Sequence, residues 1–241
     1  MKPLCVDLFA GLGGWAEGFL AEGYDCIGFD IERHDYGNGG YPGQLVLQDV
    51  LTLHGSQFRH AACIVASPPC QSFSYMAMPF SRGKKMAAEY RSGMRDVKQL
   101  TALFDACFRI QREASEAAGR HIPLVVENVR GAQPWVGKAK GKYGSFYFWG
   151  DLPALMPSAR HRKVPGSNFH EHEKTGLLGR SFQSAAADGI KQGGEWWHDP
   201  GSITRMYSSQ SSARKAASAK IAMIPLPLSI WIAKTYKPEA K

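Results

Sequence analysis

The sequence contains no Cys-x-x-Cys pair, and its five cysteines, Cys5, Cys26, Cys63, Cys70 and Cys107, are odd in number. Neither a disulfide framework nor a zinc site fits that pattern, whereas a reducing compartment does. No secretory segment is apparent, since Asp7 is met within seven residues, and the most apolar late stretch, 221–233, is too short and too broken by proline to span a bilayer. These absences lead to the expectation of a soluble, cytoplasmic protein with no membrane partner. Internal repeats are also lacking, which excludes a solenoid. Acidic residues are the minority, 21 Asp+Glu against 29 Lys+Arg, for a net charge of +8. That balance favours a polyanionic partner without specifying one. With 44% hydrophobic and 21% charged residues the chain is no disordered segment, and 241 residues suffice for one large α/β domain, alone or with a small appendage.

What is present is an alternating rhythm. Short apolar runs at 3–9, 25–30, 44–49, 62–67 and 122–128 read as strands, and amphipathic stretches at 13–23 and 97–118 read as helices. Strands alternating with helices predict βαβ units, a mainly parallel sheet covered on both faces, and ligands at the carboxyl ends of the strands. From about residue 157 the pattern loosens into a basic, glycine- and histidine-rich stretch. Order returns at 211–236, where an alanine-rich helix runs into a Pro-x-Pro break and then a second apolar helix.

The run "DLFAGLGGWAEGF" places small residues directly after a strand, so the backbone turns tightly and helix N-terminal amides face a ligand. Gly11, Gly13 and Ala16 satisfy G-x-G-x-x-A, and Asp30 ends the next strand, where a carboxylate accepts ribose hydroxyls. This spacing fits a dinucleotide or S-adenosylmethionine, and equally a turn that only packs helix on strand. A second run, "VASPPCQSFS" (65–74), follows a strand with two prolines, each of which fixes φ and removes a donor. Cys70 is thereby held in place.

Taken together, "DLFAGLGG", "SPPCQSFS", "ENVRG" (127–131) and "ARHR" (159–162), in this order, resemble the cytosine-5 DNA methyltransferase family. The resemblance covers roughly residues 4–163 and, more faintly, 211–236. It implies a Rossmann-like S-adenosylmethionine-dependent methyltransferase fold, with a catalytic domain from 1–157 and 211–241 and a small target-recognition region at 158–210. Phe9, Ala10, Gly11, Gly13 and Gly14 would surround the methionine part of S-adenosyl-L-methionine. Asp30 would take the ribose, Ile31 the adenine face and Asp49 its exocyclic amine, with Pro69 lining the cleft.

The same resemblance makes Cys70 the thiolate that adds to carbon 6 of cytosine, which turns carbon 5 into a nucleophile. Activation of a thiol calls for nearby positive charge or helix-end amides. Glu127 would meet ring N3, donating only while protonated, a form that partial burial favours. Asn128 would orient the loop, Arg162 would contact O2, and Arg160 would hold a phosphate. Two departures stand out: Ser158 occupies the family's glutamine position, and "KIAMIPLPL" lacks the family's asparagine. Segment 74–95, with Arg82, Lys84, Lys85, Arg91 and Arg95, is similar to the loop that closes over the substrate.

The implied partner is double-stranded DNA with the target cytosine flipped out, acted on by a monomer in a bacterial cell or phage-infected host, as a restriction companion or a solitary enzyme. An RNA cytosine-5 methyltransferase uses the same motifs. A silent nucleic-acid-binding relative would have little reason to keep Cys70 with Glu127, and a dinucleotide oxidoreductase leaves both loops without purpose. The histidine-glutamate cluster at 170–173 lacks metal-site spacing, so no metal is expected.

Overall fold

The computed structural model describes residues 2–36, 39–73, 80–157 and 212–239. The chain divides into two units, one of Met1–His34, Gly40–Ala159 and Ile224–Lys241, the other of Asp35–Gly39 and Arg160–Met223. The first unit contains the sheet and every strand described.

Its strands are β1 (Leu4–Leu8), β2 (Asp25–Asp30), β3 (Gln44–Leu47), β4 (Ala61–Ala66), β5 (Leu124–Asn128), β6 (Gly141–Tyr143) and β7 (Phe146–Gly150). They form one sheet in the order β3-β2-β1-β4-β5-β7-β6. The first five are parallel, while β7 runs antiparallel to both β5 and β6. The order reverses between β1 and β4, so loops leaving those two strands diverge and open a crevice at their carboxyl ends. The α/β fold with a mainly parallel sheet is the one expected of an S-adenosylmethionine-dependent methyltransferase.

Apolar composition drives this arrangement. Every residue of β4 and β5 is buried, as parallel strands covered on both faces require. Alternate residues feed two cores. Val6, Leu8, Ile64, Ala66, Leu124 and Val126 face helix α3 (Val97–Ala118), which contributes Phe104, Cys107 and Ile110. Cys5, Cys26, Cys63, Val65 and Val125 share the opposite core with helix α1 (Gly14–Ala21) and with Leu228 and Ile232 of a C-terminal helix. Helix α3 is bounded by Asp96, whose carboxylate caps the Lys98 amide, and by left-handed Gly119.

The remaining helices are α2 (Phe80–Arg91), α4 (Gln133–Val136), α5 (Ser212–Ala222), which belongs to the second unit, and α6 (Leu226–Thr235), which starts after Pro225 as the Pro-x-Pro break predicts. Helix α6 packs on α1 at backbone distance. A Cβ on Gly14 would lie 2.6 Å from the Ile224 nitrogen, and one on Gly18 only 2.3 Å from Ser229 Oγ.

Sequence reasoning and structure differ at three places. Residues 80–91, read as part of a loop, form α2. The strand expected over 44–49 ends at Leu47, because Asp49 caps a 3-10 turn at Val50–Thr52 instead. The β6–β7 hairpin escaped prediction: β6 is only three residues long, and the five-residue aromatic run of β7 is not among the strands read from the sequence.

Candidate active site

All the described candidate residues sit at the carboxyl ends of β1 to β5. Phe9, directly after β1, has φ of 65° and is the one non-glycine with positive φ among the described residues. Such a backbone costs of order 1–3 kcal/mol and persists where the surroundings enforce it, commonly at functional sites. Gly11 and Gly13 follow with φ of 51° and 83°, and Gly13 is the N-cap of α1 with no side-chain cap. The first amides of α1 are thus left for a ligand.

The glycines differ in purpose. A Cβ on Gly13 would meet Pro42 Cδ at 2.2 Å and one on Gly14 would strike Ile224, so both are needed for packing. At Gly11 the nearest atom would be 3.9 Å away, which leaves room above the loop.

Asp30 does more than the ribose role implies. Its Oδ2 accepts from the Gly11 amide at 2.9 Å and its Oδ1 from the Ile31 amide at 2.8 Å, so it ties the glycine loop to the end of β2. Oδ1 also takes the Glu32 amide at 3.4 Å and lies 3.5 Å from His34 Nε2, so of the roughly four acceptor sites of a carboxylate the room for a ribose hydroxyl lies on Oδ2. Ile31 is 75% exposed, an apolar side chain left standing beside the loop. Asp49, exposed after β3, accepts from the Leu51 amide through Oδ1 at 2.9 Å. An open glycine turn, uncapped helix amides, a presented apolar side chain and two carboxylates make a donor set that fits S-adenosyl-L-methionine.

Beneath this loop lies a buried polar pair. Asp7, in register with Gly28, and Tyr41, whose ring lies 2.5 Å from the position of a Cβ on Gly28, are buried without a hydrogen bond meeting ordinary distance limits. Burial first, then neighbouring Cys26, pushes the Asp7 carboxyl well above the usual carboxylate range, against the opposing effect of Tyr41.

The other half of the crevice holds the thiol. Ser67 follows β4, its amide donating to the Leu8 carbonyl at 3.2 Å, and its Oγ accepts from Trp15 Nε1 at 3.0 Å. Trp15, buried on α1, thereby joins the cofactor-side helix to the loop entering Pro68-Pro69-Cys70. Asn128, 1% exposed, donates from Nδ2 to the Pro68 carbonyl at 2.9 Å and accepts from the Val129 amide at 2.8 Å. Asn128 thus ties the end of β5 to the loop that carries Cys70. Cys70 is half-buried and its carbonyl accepts from the Phe73 amide at 2.9 Å, closing the turn. Cys5, Cys26, Cys63 and Cys107 are buried, as their apolar settings predict. Pro69 is exposed beside Cys70. Glu127 is 9% exposed, in register with Phe148 of β7 and one residue beyond the last β4 partner of β5.

Arg160 and Arg162, together with Ser158, lie outside the described residues. Of the basic residues assigned to the loop after Cys70, Arg91 and Arg95 are engaged: the Arg91 guanidinium lies 5.9 Å from the Trp135 ring centre, and Arg95 bonds Glu89 at 2.6 Å. Tyr90 meets Trp135 edge-on at 5.5 Å, fastening the end of α2 to the segment following Glu127. Trp15, Ser67 and Trp135 escaped sequence reasoning, since one aromatic or hydroxyl in a motif carries no signal of its partner. Among the described residues no three His, Cys, Asp or Glu side chains converge as metal ligands, and no helix is long and apolar enough to cross a membrane.

Comparison with known proteins follows this geometry. Among solved structures the chain is similar to a prophage-encoded E. coli protein described as a DNA modification methyltransferase (22% identity, 54% of this chain and 33% of that one, TM-score 0.37). It is similar also to the Entamoeba histolytica methyltransferase EhMeth (14% identity, 56% and 41%, TM-score 0.36) and to the S. pombe Dnmt2 methyltransferase (11% identity, 97% and 98%, TM-score 0.49). The chain spans less than half the length of the first two. No curated protein matches it. The model of the family described as C-5 cytosine-specific DNA methylase matches residues 4–133, more than half of the chain and all of the crevice from Phe9 to Asn128. The chain belongs to the C-5 cytosine-specific DNA methylase family.

Proposed function

We propose that this protein methylates carbon 5 of cytosine in double-stranded DNA, with the target base flipped out of the helix and held covalently by Cys70 during the reaction. The observation that carries the proposal is the Asn128 bridge. Through it the strand end bearing Glu127 and the loop bearing Cys70 are built as one constellation, beside a glycine turn that fits the methyl donor. An oxidoreductase would need the glycine turn alone.

Phe9, Ala10, Gly11, Gly13 and Gly14 hold the methionine part of S-adenosyl-L-methionine, Asp30 the ribose, Ile31 the adenine face and Asp49 the adenine amine, with Pro69 as a wall. Bound there, the group supplies an electrophilic methyl. Cys70 as thiolate adds to carbon 6, and the electron pair displaced toward N3 is met by a proton from Glu127 acting as general acid. Carbon 5 becomes nucleophilic toward that methyl, whose transfer would break the donor's sulfur–methyl bond and leave the donor as its neutral thioether. Loss of the carbon 5 proton to water then expels the Cys70 thiolate, and return of the N3 proton to Glu127 restores the ring and the acid. Arg162 steadies O2 and Arg160 a phosphate, while residues 158–210 carry target recognition and 1–157 with 211–241 carry the chemistry. The net charge of +8 suits a nucleic-acid substrate, reached by a monomer in the cytoplasm of a bacterium or phage-infected host.

The test is incubation with labelled S-adenosyl-L-methionine and duplex DNA containing 5-fluorocytosine, comparing wild type with Cys70→Ser. Fluorine does not leave as a proton does, so a denaturation-resistant, methylated adduct is expected from wild type and none from the variant. The same adduct formed only on RNA would move the substrate to RNA. No adduct on either would mark a silent binding protein.

A further inference from the structure

Helix α3 reaches the segment between β3 and β4 through two side chains one turn apart, Arg109 and Glu113. Arg109 Nη1 donates to the Leu53 carbonyl at 2.8 Å and Nη2 to the Leu51 carbonyl at 3.2 Å, while Nη1 also lies 3.1 Å from each Glu113 carboxylate oxygen. Glu113 Oε2 in turn accepts from the Gly55 amide at 2.6 Å. Burial alone would raise the Glu113 carboxyl, but the Gly55 amide and Arg109 outweigh it and hold it below its ordinary value. Gly55 is seated so closely that a Cβ there would lie 2.0 Å from the Ile110 carbonyl oxygen. Segment 49–58 is therefore moulded onto α3.

The free end of that segment is Asp49. Its Oδ1 caps the Val50–Thr52 turn through the Leu51 amide, and its backbone carbonyl takes the Thr52 amide and hydroxyl. The two carbonyls gripped by Arg109 belong to this turn and the residue after it. A rigid guanidinium fork bridges two carbonyls in one plane, which a single ammonium does not.

We propose that Arg109, locked by Glu113, is a positioning residue for recognition of the adenine amine. By fixing the 49–53 turn it aims the Asp49 carboxylate into the cofactor crevice. The proposal rests on the reading of Asp49 given above.

The experiment measures equilibrium binding of S-adenosyl-L-methionine and of its purine counterpart, in which the amine is replaced by hydrogen, to the full chain by titration calorimetry. Wild type is expected to prefer the amine-bearing ligand by about tenfold or more, the loss of a hydrogen bond to a charged acceptor. Arg109→Met is expected to lose most of that preference by weakening the amine-bearing ligand alone. At saturating cofactor its kcat should stay within about threefold of wild type while KM rises. Arg109→Lys keeps the charge but not the fork, and must lose part of the preference too, which preserves the test if the methionine variant does not fold. Equal weakening toward both ligands, or an unchanged preference in the lysine variant, overturns the proposal. If wild type shows no preference, or Asp49→Asn leaves it unchanged, the reading of Asp49 falls and the proposal with it, a failure recognisable because it is present with α3 intact.

Discussion

Replacing Asn128 with alanine tests whether the nucleophile loop is held by this one side chain. The substitution removes a donor from the buried Pro68 carbonyl and an acceptor from the half-buried Val129 amide, at 2.9 and 2.8 Å. Each bond contributes about 0.5–1.5 kcal/mol net, and leaving the buried carbonyl unpaired costs about 1–3 kcal/mol, whereas water can reach the Val129 amide. The expected loss is thus about 2–3 kcal/mol, within the roughly 5–15 kcal/mol stability of a domain, so the variant stays folded. Activity should suffer more. Cys70 lies two residues beyond the released carbonyl, and a displacement of about 1 Å at a reacting atom costs on the order of 100-fold. Urea unfolding measures the first effect, and the rate of 5-fluorocytosine adduct formation at saturating cofactor the second. Asn128→Asp retains the Val129 acceptor but sets an oxygen against the Pro68 carbonyl, so its trapping rate must fall as well. Stability within about 0.5 kcal/mol of wild type together with trapping within about twofold would refute the tether.

Gly14→Ala forces a Cβ to 2.6 Å from the Ile224 backbone nitrogen and should cost about 1–3 kcal/mol, lowering Tm by about 2–4 °C for each kcal/mol; an unchanged Tm would mean that α6 yields without loss. Asp7 has a folded pKa raised by burial above its unfolded value, so the stability it contributes is present in acid and lost as pH rises through the raised value. The urea midpoint of Asp7→Asn should accordingly gain on wild type from acid toward alkaline pH, and a pH-independent difference would contradict the buried-acid assignment. Trp135→Ala removes the edge contact with Tyr90 and the Arg91 stack, each worth about 0.5–1.5 kcal/mol, and should speed tryptic cleavage after Arg91 and Arg95; equal cleavage rates would show that α2 is held by other contacts. Burial pushes the Cys5, Cys63 and Cys107 thiols up and shields them, so brief iodoacetamide treatment of the native protein should label Cys70 first, and simultaneous labelling of all five cysteines would refute that burial.

The central strands and the long helix were legible because their residues answer to one environment each. The run 25–30, apolar between two aspartates, becomes β2 without a change of boundary, and 97–118 carries a helical period with an Asp before it and a Gly after it. Boundaries moved where a local competitor intervened. Asp49 was counted into the third strand, but an Asp before a turn satisfies an amide more cheaply than a ladder position does, so the strand stops at Leu47. Helix α2 was missed because its basic residues suggested a substrate loop, whereas Trp135, 45 positions beyond Tyr90, supplies the contact that fixes its end.

The site itself divides along the same line. Asp30 and the glycines could be named from their spacing after the first two strands, and Cys70 and Glu127 from the family resemblance that their short motifs carry. Their supports could not, because each is a pair of residues far apart in the sequence: Trp15 with Ser67 spans 52 positions, Glu113 with Gly55 58, and Asn128 with Pro68 60. The parallel topology brings the first and third pairs together, since it sets the carboxyl ends of β1, β4 and β5 side by side, and the packing of α3 on the Gly55–Phe58 turn brings the second. Reactive groups are thus written locally, whereas the forces that hold them are written in the fold. Substitutions at Trp15 and Asn128 should for that reason slow trapping at Cys70, and those at Arg109 should weaken cofactor recognition while sparing kcat, although none of the three is assigned a reacting atom.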